Sequence, residues 1–308
     1  MKTIDVSIIG EIYIDHVFSG FPVWPQPGEE VFTEEYLQEV GGGAANTACG
    51  LGRLGRSTRL IGIVGELDLS WFQTRLKSFN VQTQALQTGE GRSGVTVSVS
   101  TRQDRSFFTY RGTNVHLKEL LREPGLVAEL RQSRHVHFAM PLDADIAMRL
   151  LPELRSSGCT TSLDVGFQPQ WLTDSKNLLV CRAVDYLLPN EREAAMLCGG
   201  DAEDYLTFAE RVALPSGVLK LGPRGATMTV GGRRYQVSSP NVAVVDTTGA
   251  GDAFDAGFID ALLDRAGAED CLRRACICGG LSTRTAGALA GLPVRDQVEN
   301  LYGQTYAS

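Results

Sequence analysis

Several features that mark other protein classes are missing from this chain of 308 residues. It has no cluster of lysine and arginine with interleaved aromatic residues, and its net charge is −7, so nucleic acid is not expected as a partner. No stretch approaches 18 consecutive apolar residues, and the N-terminus enters a strand pattern without the regions of a signal peptide. These absences predict a cytoplasmic protein without membrane contact.

Cysteine is scarce and irregularly spaced. The seven cysteines are an odd number, and Cys276 with Cys278 has no second pair at the distance of a zinc finger, so we interpret them as reduced thiols. The chain also lacks a linker rich in proline, glycine or serine, an internal repeat and a low-complexity tract. We therefore expect one domain over residues 1–308.

What the sequence does contain is an alternation of β-rich apolar runs with helical segments. This alternation predicts an α/β protein with a mostly parallel central sheet and helices on both faces. The predicted strands are 6–9, 59–64, 135–140, 160–165, 186–189, 218–221 and 242–245. The clearest predicted helices are 44–54, 69–79, 144–156, 192–197 and 268–286.

Two segments, 16–42 and 93–114, interrupt this alternation. Apolar and polar residues alternate in the second segment, which indicates antiparallel strands and hence a small separate sheet. Such a sheet beside an α/β body serves as a lid over a site, as an oligomer contact, or as both. The segments hold more apolar residues than one isolated lid should expose, which predicts a homodimer through the lid. These residues are Phe18, Phe21, Val23, Trp24, Val97, Val99 and Phe108.

The sequence "GLGRLG", Gly50 to Gly55, matches the glycine pattern of dinucleotide-binding proteins. That pattern should follow a strand and open a helix, whereas these glycines follow a helical run and precede a strand. Gly55 is better interpreted as the left-handed end of a helix.

Two glycine-rich segments precede predicted helices. In "VGGGAANTA", Val40 to Ala48, the glycines fit either a small polar ligand close to the backbone or a tight turn with positive φ, and Asn46 lies in the first turns. In "VVDTTGAGDAFDAGF", Val244 to Phe258, a predicted buried strand leads through glycines into a helix. Successive N–H groups without side chains can converge on an anion there.

These motifs carry a family resemblance. The glycines at 41–43 with Asn46, Gly55 and Gly65 resemble the N-terminal signature of the ribokinase-like, or PfkB, carbohydrate kinases, and residues 246–258 resemble the C-terminal signature. The resemblance covers essentially the whole chain. It implies a three-layer ribokinase-like fold with a small β-sheet lid, and transfer of a phosphoryl group from ATP, with Mg²⁺, to a sugar hydroxyl.

The resemblance also assigns roles at the C-terminal signature. Gly249, Ala250 and Gly251 would form the anion hole for the transferring phosphoryl group. Asp252 would be the general base that accepts the proton of the attacking hydroxyl. The alternative for an aspartate at a helix start is a simple cap.

Further roles are implied for residues outside this signature. On the sugar side the resemblance implies Asp15 from the end of the first strand, Gly42, Gly43, Asn46, Asn114 and Asp252. On the nucleotide side it implies Asn190, Lys220, Gly222 and Gly225, with Cys276 and Gly279 near the adenine. Glu193 and Asn190 would hold Mg²⁺ through water, and Asp246 with the Thr248 carbonyl would border a site for a monovalent cation such as K⁺. Ordinary alternatives are a helix-start acid for Glu193, a surface hairpin for 219–226 and a turn residue for Asp15.

One segment departs from the family pattern. Residues 162–171 resemble its D-x-N-x-R segment, but Gly166 and Gln168 occupy the Asn and Arg positions, and this puts a phosphate or metal contact of that loop in doubt.

The glycine segment lacks the lysine that phosphosugar kinases of the family often have, which favours a free sugar or sugar acid. Arg102, Arg105 and Arg111 keep an acidic or phosphorylated substrate open. A nucleoside kinase, with Tyr13, Phe18, Trp24 or Phe108 stacking on a base, and a non-catalytic sugar or nucleotide sensor are the alternatives.

Overall fold

A computed structural model describes residues 2–101 and 105–306 of the chain. Its strands are β1 (Ile4–Gly10), β2 (Tyr13–Phe21), β3 (Glu35–Gly41), β4 (Thr58–Gly65), β5 (Val81–Gln82), β6 (Leu86–Gly89), β7 (Gly94–Thr101), β8 (Arg105–Tyr110), β9 (Ser133–Ala139), β10 (Thr160–Leu163), β11 (Tyr186–Leu187), β12 (Ser216–Lys220), β13 (Ala226–Val230) and β14 (Arg233–Val237). Its α-helices are α1 (Gly43–Arg53), α2 (Leu69–Lys77), α3 (Leu117–Arg122), α4 (Leu126–Leu130), α5 (Ala144–Ser156), α6 (Pro169–Thr173), α7 (Leu178–Ala183), α8 (Glu191–Cys198), α9 (Tyr205–Arg211), α10 (Ala250–Leu263), α11 (Ala268–Ser282) and α12 (Arg295–Tyr306).

The larger sheet has the strand order β14-β13-β12-β11-β10-β9-β1-β4-β5, and β6 also pairs with β4. All of its pairs are parallel except β12 with β13 and β13 with β14. The apolar runs that alternate with helices in the sequence therefore form a mostly parallel sheet, as predicted.

Helices cover both faces of this sheet. Ile8 on β1 packs in a core cluster with α1, α2 and α10, whereas the next residue, Ile9, packs with α3 to α9 on the opposite face. This follows from the period of two along a strand, which points successive side chains to opposite faces. The result is the predicted three-layer arrangement.

The site is positioned by a reversal of strand order around β1. The chain leaves β1 for β4 on one side and returns later to β9 on the other. In open α/β sheets, ligands bind beyond the carboxyl ends of the strands at such a reversal. Glu11 follows β1, Met140 follows β9 and Asp164 follows β10 at this edge.

The two predicted lid segments form one smaller sheet with the order β3-β2-β7-β8. β2 with β3 and β7 with β8 are antiparallel, as predicted, and the central pair of β2 with β7 is parallel. The first strand of this smaller sheet, β2, begins at Tyr13, three residues before the start of the predicted lid segment 16–42. Arg102 lies outside the described residues.

Two sequence predictions near the C-terminal signature were wrong. Residues 242–245 do not form a strand: Val244 and Val245 are 60% and 66% exposed, and the N–H groups of Val245 and Asp246 donate to the carbonyl of Thr283. This segment bonds to a loop instead of to the sheet, whose nearby edge is already formed by β14. The predicted helix 268–286 ends at Ser282, just before the residue that accepts these bonds.

The prediction of a helix end at Gly55 was correct. Gly55 follows α1 with a φ of 84°, the left-handed conformation expected at a helix end. The seven cysteines are free thiols. Within the described residues, none of the helices combines the length and the apolar character that crossing a bilayer requires.

Candidate active site

A cleft of about 1050 Å³ lies at the carboxyl edge of the larger sheet. Its walls come from the loops after β1, β9, β10 and β12 and from the starts of α1, α8 and α10. Among its lining residues are Glu11, Asp164, Asn190, Lys220, Gly251 and Cys276. Residues spread over the whole sequence thus meet in one cavity because parallel strands end at the same edge.

Helix α10 begins at the floor of the cleft. Gly249 precedes it with a φ of 73°, and a Cβ at this residue would lie 2.7 Å from the Cβ of Ala288, so both conformation and space require glycine. The N–H of Ala250 donates to the carbonyl of Thr247 at 3.2 Å. The N–H of Gly251 belongs to the first turn of the helix, where no carbonyl one turn earlier is available. Of the three predicted anion-hole positions, Ala250 therefore already has a hydrogen-bond acceptor, whereas the N–H of Gly251 is in the turn whose N–H groups lack carbonyl partners within the helix.

Asp252 lies in the first turn of α10 and lines the cleft. Its Oδ2 accepts a hydrogen bond of 2.7 Å from the side-chain amide of Asn46 on α1. A Cβ on Gly43 would lie 3.3 Å from its Oδ1, so the start of α1 faces this carboxyl group closely. Burial raises the pKa of Asp252 to about 6, against the opposing hydrogen bond from Asn46. A carboxyl with a pKa near the working pH has the property that a general base needs.

Asp15 lies on β2 of the lid sheet and not at the end of β1, which corrects its predicted location. A Cβ on Gly41 would lie 2.0 Å from its Oδ2, so any side chain at position 41 would displace this carboxyl group. Burial raises the pKa of Asp15 to about 7, with further contributions from the negative charges of Asp252 and Glu39. The acids of the lid and of α10 are therefore close enough to influence each other.

Lys220, at the end of β12, is enclosed by two carboxyl groups. Its Nζ lies 2.6 Å from Oδ2 of Asp164 and 3.0 Å from Oδ1 of Asp255. Burial opposes its charge, but these carboxylates outweigh burial and raise the pKa of Lys220 above its ordinary value. For Asp255 burial acts in the other direction and raises the pKa, against the opposing charge of Lys220. Lys220 lines the cleft, yet within the described residues its ammonium donates its hydrogen bonds to carboxyl groups, and it also lies over the ring of Phe254.

Asn190 and Glu193 form a capping box at the start of α8. The side chain of Asn190 accepts from the N–H of Glu193 at 3.0 Å, and the carboxylate of Glu193 accepts from the N–H of Asn190 at 2.9 Å. Both residues also line the cleft. Burial, followed by the charge of Asp164, raises the pKa of Glu193 to about 7. The helix-start role is therefore real, and it leaves this carboxyl group at the cavity.

The loop before α10 is tied to the loop after α11. One carboxylate oxygen of Asp246 accepts from the N–H and the hydroxyl of Thr248, and the other accepts from the N–H of Gly287 at 2.9 Å. This carboxylate fixes the two loops on which the resemblance places a monovalent cation.

The predicted nucleotide side also reaches the cleft. Cys276 and Gly279 on α11 line it, as do Gly222 and Gly225 in the turn after β12. Both turn glycines have positive φ, 56° and 98°, and a Cβ on Gly225 would lie 1.9 Å from the carbonyl oxygen of Val237.

The family of the chain follows from comparison with known proteins. The family model described as pfkB family carbohydrate kinase matches residues 3–295, almost the whole chain. The chain belongs to this family of carbohydrate kinases. At the sequence level the kinase is 25% identical to a ribokinase of Haemophilus influenzae over 305 residues, covering 95% of this chain and 96% of the relative. It is 28% identical to a ribokinase of Bacillus subtilis over 301 residues, covering 96% and 99%.

Other relatives of the kinase have different names. A protein of Methanocaldococcus jannaschii is named nucleoside kinase and one of Bacillus subtilis is named 2-dehydro-3-deoxygluconokinase, and each is 25% identical to this chain. The names of relatives therefore span several sugar and nucleoside substrates.

Solved structures show the same fold as the kinase. A structure of Arabidopsis thaliana ribokinase complexed with ribose and ATP has a TM-score of 0.83 at 22% identity and covers 97% of this chain and 98% of that chain. A putative ribokinase II from E. coli in complex with ATP and Mg²⁺ has a TM-score of 0.83 at 20% identity, with coverages of 97% and 99%. These likenesses confirm the predicted ribokinase-like fold.

Two predicted site residues of the kinase have structural bonds that sequence reasoning did not foresee. Asn114 is 1% exposed, and its side chain accepts from the N–H of Ile12 and donates to the carbonyl of Ile12. It therefore fixes the link between β1 and β2 underneath the predicted sugar side. Lys220 has the two carboxylate partners described above.

Sequence reasoning missed Asp255 and Glu11. The sequence did carry a signal for Asp255: it is a charged residue between apolar residues of α10. Glu11 lines the cleft, accepts a hydrogen bond of 2.5 Å from the hydroxyl of Tyr13 and pairs with Arg111. Its signal was its place directly after a buried strand that ends at the ligand-binding edge.

Proposed function

We propose that this kinase transfers the γ-phosphoryl group of ATP to a hydroxyl of a free sugar or sugar acid, with Asp252 as the general base. The observation that carries this proposal is the position of Asp252 at the cleft, held by Asn46 at 2.7 Å. A carboxylate that is fixed by one hydrogen bond still has a lone pair available for the proton of an attacking hydroxyl.

Phosphoryl transfer depends mainly on positioning and on stabilising negative charge. In our proposal the N-terminal turn of α10 binds the transferring group through the N–H of Gly251 and the positive end of the helix. Asp252 lies one residue later, so the base and the anion hole are adjacent. As the hydroxyl oxygen bonds to the γ-phosphorus, its proton would pass to a carboxylate oxygen of Asp252, and the bond from the γ-phosphorus to the bridging oxygen would break and release ADP.

ATP and Mg²⁺ are the proposed phosphoryl donor and metal ion, in line with the ATP in both solved complexes described above and the Mg²⁺ in the second. Cys276 and Gly279 would border the adenine. Glu193 and Asn190 fit a magnesium site because Mg²⁺ keeps several waters and uses few carboxylates directly. When bound, the ion would neutralise phosphate charge. We further propose a monovalent cation such as K⁺ beside Asp246 and Thr248, whose loop is already ordered by the carboxylate of Asp246.

The charges near the site favour a neutral sugar over a sugar acid. Asp15, Asp252 and Glu11 are acidic, and Arg111 is already paired with Glu11. Carboxylates accept hydrogen bonds from sugar hydroxyls, whereas they repel an anionic substrate. The side chain of Arg105 is outside the described part of the structure, as is all of Arg102, and neither contributes to this inference.

A nucleoside kinase is the second candidate, and Tyr13 favours it because its ring lines the cleft. The other aromatic candidates support it less. The rings of Trp24 and Phe108 stack on each other, with centroids 6.3 Å apart, and Phe18 lies against Tyr36.

A coupled ADP-release assay with Mg·ATP tests the proposal against free sugars, sugar acids, phosphosugars and nucleosides. We expect turnover on a free sugar that falls at least about a hundredfold in Asp252→Asn. Asp264→Asn, at the end of the same helix, is the matched control and should retain the wild-type rate. Equal rates in wild type and Asp252→Asn would refute the role of the base, and no turnover in either protein would favour a sensor.

We also propose a homodimer formed through the lid sheet. This sheet and its connection expose Val23, Trp24, Phe32, Tyr36, Phe107, Phe108 and Tyr110. The most exposed of these residues is Phe32, at 80%. Apolar surface of this kind is typical of a contact between proteins. Sedimentation equilibrium at micromolar concentration should give twice the mass of the chain, and Phe32→Ser should weaken association. A wild-type protein that sediments only as a monomer would contradict the dimer.

A further inference from the structure

A cluster of three charged side chains, Asp164, Lys220 and Asp255, lies beneath the start of α10. Lys220 is 8% exposed and Asp255 only 1%. The ammonium contacts both carboxylate oxygens of Asp255, at 3.0 and 3.1 Å, and one oxygen of Asp164 at 2.6 Å. Removing such charges from water is costly, and apolar residues of similar volume often stabilise a fold equally well. Because burying these charges costs free energy, we expect the cluster to have a role at the neighbouring cleft.

The position of the ammonium supports this reading. A Cβ on Gly251 would lie 3.7 Å from Nζ of Lys220, so the positive charge is directly beside the first turn of α10. Asp255 lies four residues after Gly251 on the same helix, and residues at this spacing share one helix face. Asp255 therefore holds the ammonium against the turn that would bind the transferring phosphoryl group.

A second observation concerns the loop after β10. Gly166 and Gln168 occupy the positions at which the resemblance places asparagine and arginine, and Gln168 lines the cleft. This loop therefore brings no arginine to the phosphates at that position. The lysine reaches the same region from β12, two strands away in the sheet, and bonds to Asp164 at the start of this loop.

We propose that Asp255 is a positioning residue that fixes the ammonium of Lys220 beside the anion hole, where this cation replaces the arginine absent at position 168. The inference rests on the proposed phosphoryl transfer. Lys220 would act as a point charge toward the β- and γ-phosphates. Without Asp255, the ammonium would keep only its shorter hydrogen bond to Asp164, and this bond would draw it away from the first turn of α10.

Calorimetric binding of a non-hydrolysable ATP analogue, compared with AMP, tests this role without turnover. We expect Asp255→Asn to weaken the binding of the analogue about three- to tenfold and to leave AMP binding within about twofold, because AMP lacks the outer phosphates. The double variant Asp255→Asn/Lys220→Met should bind no more weakly than Lys220→Met alone, since the two residues act as a unit. The matched control Asp260→Asn removes another buried acid of α10, one paired with Arg56 far from the cleft, and should bind both ligands normally.

Restoring the arginine gives an independent test. Adding Gln168→Arg to Lys220→Met should recover at least about threefold in affinity for the analogue, and no recovery would contradict replacement of one cation by the other. Wild-type affinity and kcat/KM for ATP in Asp255→Asn, or equal losses for the analogue and AMP, would overturn the positioning role. Should Asp255→Asn fail to fold, Asp255→Ser takes its place in the comparison of the analogue with AMP, with the same expected and contrary results. A wild-type protein that neither binds the analogue nor turns over any sugar would instead refute the proposed function itself.

Discussion

The side-chain amide of Asn46 donates a hydrogen bond of 2.7 Å to Oδ2 of Asp252, although 206 residues separate them in the chain. This bond joins the start of α1 to the start of α10, and hence the two glycine-rich motifs of the sequence. Asn46 is 6% exposed, and in the described structure its Oδ1 has no partner. We infer that this amide orients the carboxylate and keeps an acceptor for a substrate hydroxyl.

Loss of this bond should change the pH dependence of the reaction. The pKa of Asp252 is raised to about 6, and the hydrogen bond from Asn46 lowers it toward that value. A base must be ionised, so kcat/KM should rise with pH through about 6 and then level off. In Asn46→Ala the carboxylate loses a donor, so its pKa rises further and the rise in kcat/KM moves to higher pH. An unchanged pH profile would refute the proposed orientation.

Glu193→Gln separates the capping role of this residue from a role in binding magnesium. Glutamine also completes a capping box, so the melting temperature should stay within about 1 °C of wild type. Removal of the charge should raise the Mg²⁺ concentration needed for half-maximal rate at least about fivefold. Titrations of Mg²⁺ at saturating ATP and sugar measure this directly. Unchanged Mg²⁺ dependence would leave Glu193 as a helix cap only.

Gly249→Ala tests the conformation of the anion hole. The left-handed φ of 73° and the contact of 2.7 Å with Ala288 should together cost about 2–3 kcal/mol in the free energy of unfolding. The rate should fall with it because the first turn of α10 is displaced. Gly303→Ala is the matched control, since Gly303 lies within α12 and a Cβ there would have no atom within 4 Å. Denaturant unfolding and ADP release should show no loss in that control.

Asp15→Asn should make the protein more stable at alkaline pH. Burial raises the pKa of Asp15 from its ordinary value of 3.8 to about 7 in the folded protein, so the folded state binds this proton more tightly than the unfolded state does. The wild type therefore loses stability as pH rises from about 4 to about 7, and an asparagine avoids that loss. The melting temperature of the variant relative to wild type should increase between pH 5 and pH 8. A difference in melting temperature that stays constant over that range would refute the raised pKa. A loss of sugar affinity in the same variant is expected if Asp15 binds the sugar.

Much of the fold and part of the site could be predicted from the sequence because their causes are local. The alternation of apolar runs with helical segments determined the parallel sheet, since each element shows its own period of burial. The positive φ of Gly55 and Gly249 and the capping box of Asn190 with Glu193 also depend on neighbours in the chain.

The hydrogen-bond partners of the site residues depend on the packing of the folded chain and could not be predicted from their neighbours in the sequence. Asn114 bonds to the backbone of Ile12, 102 residues away, and Lys220 bonds to Asp164 across two strands of the sheet. Apolar residues 242–245 lie outside the sheet because their backbone bonds to Thr283, a choice that their own composition does not reveal. Such contacts follow from strand order and helix packing, which bring distant residues together. The fold, the family and the available chemical groups can therefore be inferred from the order of the amino acids, whereas the packing of the folded chain sets which groups face the cleft and which hold the others in place.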